Sequence, residues 1–233
     1  RGGGRCGRGA APEPMETVAR IDTLGCVDLP DGLGWGMAQP QPDTGALFPE
    51  ERAAMARAVP TRVAEFTGGR VATRAALARI GLPPVAIPVG DDRAPAWPEG
   101  VVGSISHGGG VCVAVVGRAA AWCGLGVDLE PDAPLPPDLV AEIAVEAELA
   151  ALAPMGQGHA ATRVFSAKEA AYKAQYPETR AVFGFDAMRA DLPTGVMRMV
   201  QDTGPGLGAV LPIRQQVLGG LILSLCLVPQ PAK

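Results

Sequence analysis

A chain of 233 residues with 48% hydrophobic content is long enough to bury a full core, as one larger domain or two small ones, and falls in the globular class. Its formal net charge of −4 excludes the strongly basic balance of a nucleic-acid binder, while leaving room for local basic patches. The five cysteines, Cys6, Cys26, Cys112, Cys123 and Cys226, are odd in number and lack metal-ligand spacing, which argues for a reducing, cytoplasmic setting.

The opening stretch Arg1–Pro14 is rich in glycine and arginine and has no apolar run, so it is neither a signal peptide nor a membrane span. It is expected to be disordered or a non-native extension, with Met15 as the native start. From Met15 to Glu50 the glycines and prolines predict short strands and turns. Pro49–Ile80 is the first helical region, broken near Pro60 and ended by Gly81, Pro83 and Pro84. Arg70 and Arg74 share a face of it at four-residue spacing, with Arg62 upstream, and the arginine fork suits phosphate oxygens.

After a proline-rich connection containing Trp97, the segment Val101–Val116, VVGSISHGGGVCVAVV, reads as strand, polar turn, strand. Its turn carries Ser104, Ser106, His107 and three glycines, which let backbone N–H groups approach an anion while the histidine donates to it. The stretch has neither the G-x-S-x-G of a nucleophile elbow nor the Gly-Lys-Ser/Thr of a Walker loop. Gly117–Ala121 is the candidate boundary between halves. In Gly124–Glu130, GLGVDLE, the alternation predicts a strand with Val127 and Leu129 turned into the core and Asp128 and Glu130 projecting together. Paired carboxylates repel and raise a pKa unless a cation lies between them, and a hard divalent ion such as Mg²⁺ fits that role.

The prolines of PDAPLPPD make a loop, followed by an amphipathic helix over Leu139–Leu152 with Glu142, Glu146 and Glu148 on its wetter side. His159 falls in a glycine- and alanine-rich loop. Val164–Tyr176, VFSAKEAAYKAQY, is a short helix that Ser166 and Glu169 would start as a capping box and Pro177 would close. Glu169 and Lys173 stand four apart on one face, with Lys168 a hundred degrees round. Ala181–Asp186, Val196–Val200, Gly208–Pro212 and Leu218–Val228 read as strands of a closing sheet, the last too short and too interrupted by glycine to span a bilayer. Each chemical reading has a plainer one beside it: a solvated arginine face, a glycine-rich hairpin, a strand end with exposed acids, a capped surface helix with an ordinary Glu–Lys pair.

Taken together, SISHGGG, GLGVDLEP and FSAKEAAYK, in that order and spacing, resemble the 4′-phosphopantetheinyl transferase superfamily, in its surfactin-type and enterobactin synthase component D-like branch. The resemblance extends upstream to Val59–Leu82 and covers about Glu50 to Tyr176. It implies an α+β fold of two similar halves related by a pseudo-twofold, with the active site in the cleft between them: 15–118 binding coenzyme A, 119–233 binding Mg²⁺ and carrying catalysis. It implies transfer of the 4′-phosphopantetheine arm of coenzyme A to a serine of an apo acyl- or peptidyl-carrier protein, releasing adenosine 3′,5′-bisphosphate. The pathways served would be siderophore, nonribosomal peptide, polyketide or fatty-acid synthesis. By the same resemblance Asp128, Glu130 and Glu169 would hold Mg²⁺; Glu169 would act as base, with Asp128 and Lys173 catalytic. Arg62, Arg70, Arg74, Ser106, His107, Lys168 and Lys173 would bind coenzyme A. Thr61 departs from the pattern, standing where a second basic residue is frequent. A monomer without nucleic acid or membrane span is expected. Two rivals stay open on the residues alone, a Mg²⁺-dependent phosphohydrolase and a non-catalytic module that binds coenzyme A or a carrier.

Overall fold

The computed structural model describes residues 24–25 and 27–231, so the expectations for Arg1–Pro14, Met15, Cys6 and Cys26 lie outside the described residues. The first half comprises β1 (Leu33–Ala38), α1 (Pro49–Ala54), α2 (Pro60–Arg79), β2 (Val101–Gly108) and β3 (Val111–Arg118). The second comprises β4 (Trp122–Pro131), α3 (Pro137–Ile143), α4 (Glu146–Ala150), α5 (Gln157–Thr179), β5 (Met188–Asp191), β6 (Val196–Met199), β7 (Val210–Leu218) and β8 (Leu221–Pro229). The strands form a three-stranded sheet in the order β1-β3-β2 and a five-stranded sheet in the order β4-β8-β7-β6-β5, every pair antiparallel.

Strand alternation builds four layers, helix, sheet, sheet, helix. Ala114 and Val116 of β3 face Ala72, Ala76 and Leu77 of α2. Their neighbours Val111, Val113 and Val115 turn the other way and meet Leu125, Val127 and Leu129 of β4 and the leucines of β8. On its far side the second sheet receives Val164, Ala167, Ala170, Ala171 and Ala174 of α5. Glycine permits both helices to lie close to their sheets. A Cβ at Gly34 or Gly36 of β1 would stand 2.0 or 1.9 Å from the carbonyl oxygens of Ala76 and Ala72, and one at Gly124 or Gly126 of β4 would stand 2.1 or 1.8 Å from those of Ala174 and Ala170. The two halves therefore use the same device, a G-x-G strand under an A-x-x-x-A helix face.

The structure corrects several sequence expectations. The helix bearing Glu169 begins at Gln157, taking in His159, rather than at Ser166, which is fully buried in mid-helix with its Oγ 2.8 Å from Ser224 Oγ. The inward face continues through Ala160 and Ala161, so packing extends the helix past the apparent cap. Pro177 is accommodated in the last turn, and the helix ends at Thr179 before Arg180, whose φ of 55° is left-handed. The helix expected over 139–152 is two, α3 and α4, with an extended Ala144 between them. Residues 181–184 form no strand; a 3₁₀ turn at Phe185–Ala187 leads into β5 instead. Among the described residues no helix is long and apolar enough to cross a membrane.

Candidate active site

The odd residues of β4 face the inter-sheet core, so Asp128 points to the α5 side, where it is 3% exposed. Across from it, Lys173 of α5 donates from Nζ to Asp128 Oδ1 at 2.7 Å, to Ser106 Oγ at 3.3 Å and to the Val127 carbonyl at 3.2 Å. Ser106 of β2 donates to the same Asp128 Oδ1 at 3.1 Å and accepts from the Leu129 amide at 3.3 Å. Asp128 Oδ2 is buried without a hydrogen-bond partner. Burial, then the neighbouring carboxylates of Asp128 and Glu169, push Glu130 up to about 7 against the opposing pull of Lys173. Burial also raises Glu169, with Lys173 opposing and Asp128 reinforcing the shift. The three acids therefore lie within electrostatic reach of one another around Lys173.

This donor set fits a hard cation. Three carboxylates, one with an orphaned buried oxygen and two raised first by burial and then by a neighbouring carboxylate, stand around a single ammonium. Among the described residues no three His, Cys, Asp or Glu groups form a ready-made cage as their side chains stand, and Lys173 supplies the counter-charge.

Lys173 stands at the junction of two cavities. One, of about 690 Å³, is lined by Arg57, Arg62, Glu65, Phe66, Arg70, Arg93, Ser106 and His107. The other, of about 700 Å³, runs past Trp97, Val102, Ser104, Leu125, Tyr172 and Tyr176, and shares Arg93, Pro95, Ile105 and Lys173 with the first. In the basic cavity Arg62 is exposed, while Arg70 is buried, its Nε donating to the Ile87 carbonyl at 2.8 Å and its guanidinium lying 4.0 Å over the Phe66 ring. Burial lowers Arg70 to about 10, with Glu51 opposing. His107 faces Glu65 at 3.6 Å, and loss of hydration on its inner side holds the imidazole below its ordinary value despite that carboxylate.

Two predicted ligands go elsewhere. Lys168, 1% exposed, is turned away from Asp128: its Nζ donates to the Ile143 carbonyl at 2.8 Å, the Phe185 carbonyl at 3.0 Å and buried Glu148 at 3.1 Å. The hundred degrees separating it from Glu169 carry it round to α3 and α4. Glu148, expected on a wet face, is buried and also accepts from the Val145 amide at 2.9 Å and the Ala190 amide at 2.7 Å. Arg74 lines neither cavity, because one turn on from Arg70 it meets Glu51 of α1 at 3.2 Å and donates to the Ala46 carbonyl. Missed from the sequence were Arg57 and Arg93, which carried no periodic signal; Ser104, Ser106 and His107, expected in a turn, lie in β2, where a spacing of two places both serines on one strand face.

Comparison with known proteins identifies the family. Residues 50–117 match the 4′-phosphopantetheinyl transferase N-terminal domain, and residues 124–209 match the 4′-phosphopantetheinyl transferase superfamily. The chain is 44% identical over 181 residues to the 4′-phosphopantetheinyl transferase Svp of Streptomyces mobaraensis, covering 72% of each chain. It is 36% identical over 159 residues to the 4′-phosphopantetheinyl transferase Npt of Nocardia iowensis, covering 68% of this chain and 72% of that one. Enterobactin synthase component D of Escherichia coli K12 is 38% identical over 126 residues, covering 52% of this chain and 59% of the relative.

Proposed function

The chain belongs to the 4′-phosphopantetheinyl transferase superfamily and is a transferase of carrier-protein modification; from that premise we propose how its own residues carry the reaction. The observation that supports the reading is one juxtaposition: Lys173, which lines the arginine-rich cavity, is bonded to Asp128 and lies within electrostatic reach of Glu130 and Glu169. Coenzyme A brings a 3′-phosphate and a diphosphate, and the about 690 Å³ cavity with Arg62, Arg70 and His107 suits the adenosine end. The diphosphate then reaches Lys173, and the arm runs on toward the cavity beside Trp97, Tyr172 and Tyr176. On this reading residues 15–118 form the coenzyme-binding half and 119–233 the catalytic half.

The serine hydroxyl of an apo acyl- or peptidyl-carrier protein attacks the β-phosphorus. Glu169 takes its proton as the general base. The bond from that phosphorus to the bridging oxygen breaks, and adenosine 3′,5′-bisphosphate departs with its developing charge held by Lys173. Asp128, Glu130 and Glu169 would hold Mg²⁺, which when bound supplies Lewis-acid neutralisation of the diphosphate. Ser106 keeps Asp128 oriented by donating to Oδ1. The relatives named enterobactin synthase component D favour siderophore or related secondary-metabolite carriers as the partners.

Incubation with coenzyme A, Mg²⁺ and an apo-carrier, followed by mass spectrometry of the carrier, tests the reading. The expected result is a gain of one phosphopantetheine, abolished in Asp128→Ala. Nucleotide breakdown without that gain would instead establish a phosphohydrolase, and binding with neither would establish a non-catalytic module.

A further inference from the structure

β2 is the edge of the three-stranded sheet and β4 the edge of the five-stranded one, so each presents main-chain groups that its own sheet leaves unpaired. At the site the β4 edge lies over the inter-sheet face of β2, the face that carries Ser104, Ser106 and Gly108. The two strands are not joined by a main-chain ladder. Instead the Val127 amide donates to Ser104 Oγ at 3.0 Å and the Leu129 amide donates to Ser106 Oγ at 3.3 Å, each pair 23 residues apart. A constant separation means that the strands run parallel and in register, with serine oxygens standing in for the carbonyls of a neighbouring strand. The next residue in that row is Gly108, where a Cβ would lie 2.2 Å from the Leu129 carbonyl oxygen. Close approach continues there because no side chain intervenes.

Asp128 lies between the two stitched amides. Its main chain is thus pinned on both sides from the other half of the molecule, and its carboxylate meets Lys173 and Ser106 as a result. Ser106 also touches that carboxylate, whereas Ser104 bonds only to the backbone among the contacts described. Ser104 is 5% exposed and Val127 fully buried, and the Ser104 hydroxyl is the side-chain partner of the Val127 amide. We propose that Ser104 is a positioning residue for the transfer reaction, setting the register between the halves and with it the seat of Asp128. The proposal rests on the catalytic role assigned above to Asp128.

The test uses the full chain. Residue-resolved amide exchange by NMR is expected to find Val127 and Leu129 slow in the wild type, and Val127 alone at least tenfold faster in Ser104→Ala. In steady-state kinetics Ser104→Ala is expected to lower kcat by roughly 10- to 100-fold, the cost of a displacement of about an ångström at a reacting centre. Ser104→Thr, which keeps the oxygen, should recover most of the loss. Rapid exchange at Val127 in the wild type, or an unchanged kcat in Ser104→Ala, overturns the proposal. Should Ser104→Ala not fold, the wild-type exchange rate and the Ser104→Thr kinetics decide. Retained transfer by Asp128→Ala would remove the role of Asp128 while leaving the amide exchange at Val127 as expected, so the two failures are distinguishable.

Discussion

Lys168→Met removes the ammonium from a site where Lys168 is 1% exposed and Glu148 3%. Glu148 keeps two amide donors, from Val145 and Ala190, but loses its only counter-charge among the described contacts, while the carbonyls of Ile143 and Phe185 each lose a donor. Breaking one side of a buried pair costs about 3–5 kcal/mol, because a charge stays behind without compensation. At about 2–4 °C per kcal/mol for a chain of this size, melting should fall by about 6–20 °C. Lys168→Met combined with Glu148→Gln removes both charges and keeps acceptors for the two amides, so it should regain at least half of the loss. The coupling is read from a double-mutant cycle of denaturant melts, with KM for coenzyme A measured on each variant that folds. KM should stay within about twofold. A Lys168→Met protein that melts normally but binds coenzyme A ten times more weakly would refute the reasoning and return Lys168 to the diphosphate.

Asp128→Ala and Glu169→Gln should each lower transfer by about 10²–10³-fold while leaving a cooperative melt, checked by carrier mass shift beside calorimetry. Glu130 gives a pH signature. Its folded-state value of about 7 lies above the ordinary 4.5, so without a divalent ion its contribution to stability is full below about 4.5 and is lost as pH rises through about 7. In EDTA the melting temperature should therefore drop between pH 5 and pH 8, and less so in Glu130→Gln; equal slopes in both proteins would refute the assignment. Arg62→Ala should raise KM for coenzyme A several-fold with stability unchanged, because Arg62 is exposed in the basic cavity. Arg74→Ala should do the reverse, lowering the melting temperature through buried Glu51 with KM unchanged, as thermal melts and initial rates on the pair would determine.

The site acids were legible because two-residue spacing on a strand has one structural meaning, whereas the lysines were ambiguous. A helical wheel separates Lys168 from Lys173 but does not say which side meets the second sheet's edge and which meets α3 and α4. Glu148 was misread for a related reason. A single helix over 139–152 would have kept it beside Glu142 on a wet face, and the extended residue Ala144 re-aims it inward. Ser166 matched a capping box at the right spacing, yet it bonds Ser224 in mid-helix, and local sequence alone does not contain that tertiary partner.

The placements of Lys168 and Glu148 share one pattern, a structural correspondence between the halves too faint to see as a repeat of residues. Glu51 in the first turn of α1 accepts from the Phe48 amide with one oxygen and the Ile87 amide with the other, while Arg70 of α2 donates to the Ile87 carbonyl and stands 4.0 Å from Glu51. Glu148 in the first turn of α4 accepts from the Val145 and Ala190 amides in the same way, while Lys168 of α5 donates to it and to the Phe185 carbonyl. Each half thus pins its long helix with a buried acid from a short helix, and each lays that helix on a G-x-G strand. Lys168 is the counterpart of Arg70 in this scheme, not a neighbour of Lys173 in function. What differs between the halves is what the rest of the helix offers to the cleft. Arg62 is exposed at the cavity from α2, Lys173 of α5 bonds Asp128 and Glu169 lies within its electrostatic reach, so the pinned halves become complementary only when β2 and β4 are brought together. On the proposed reading the chemistry belongs to the junction, and a change that leaves either half intact but shifts Val127 against Ser104 separates the arginines of the basic cavity from Asp128.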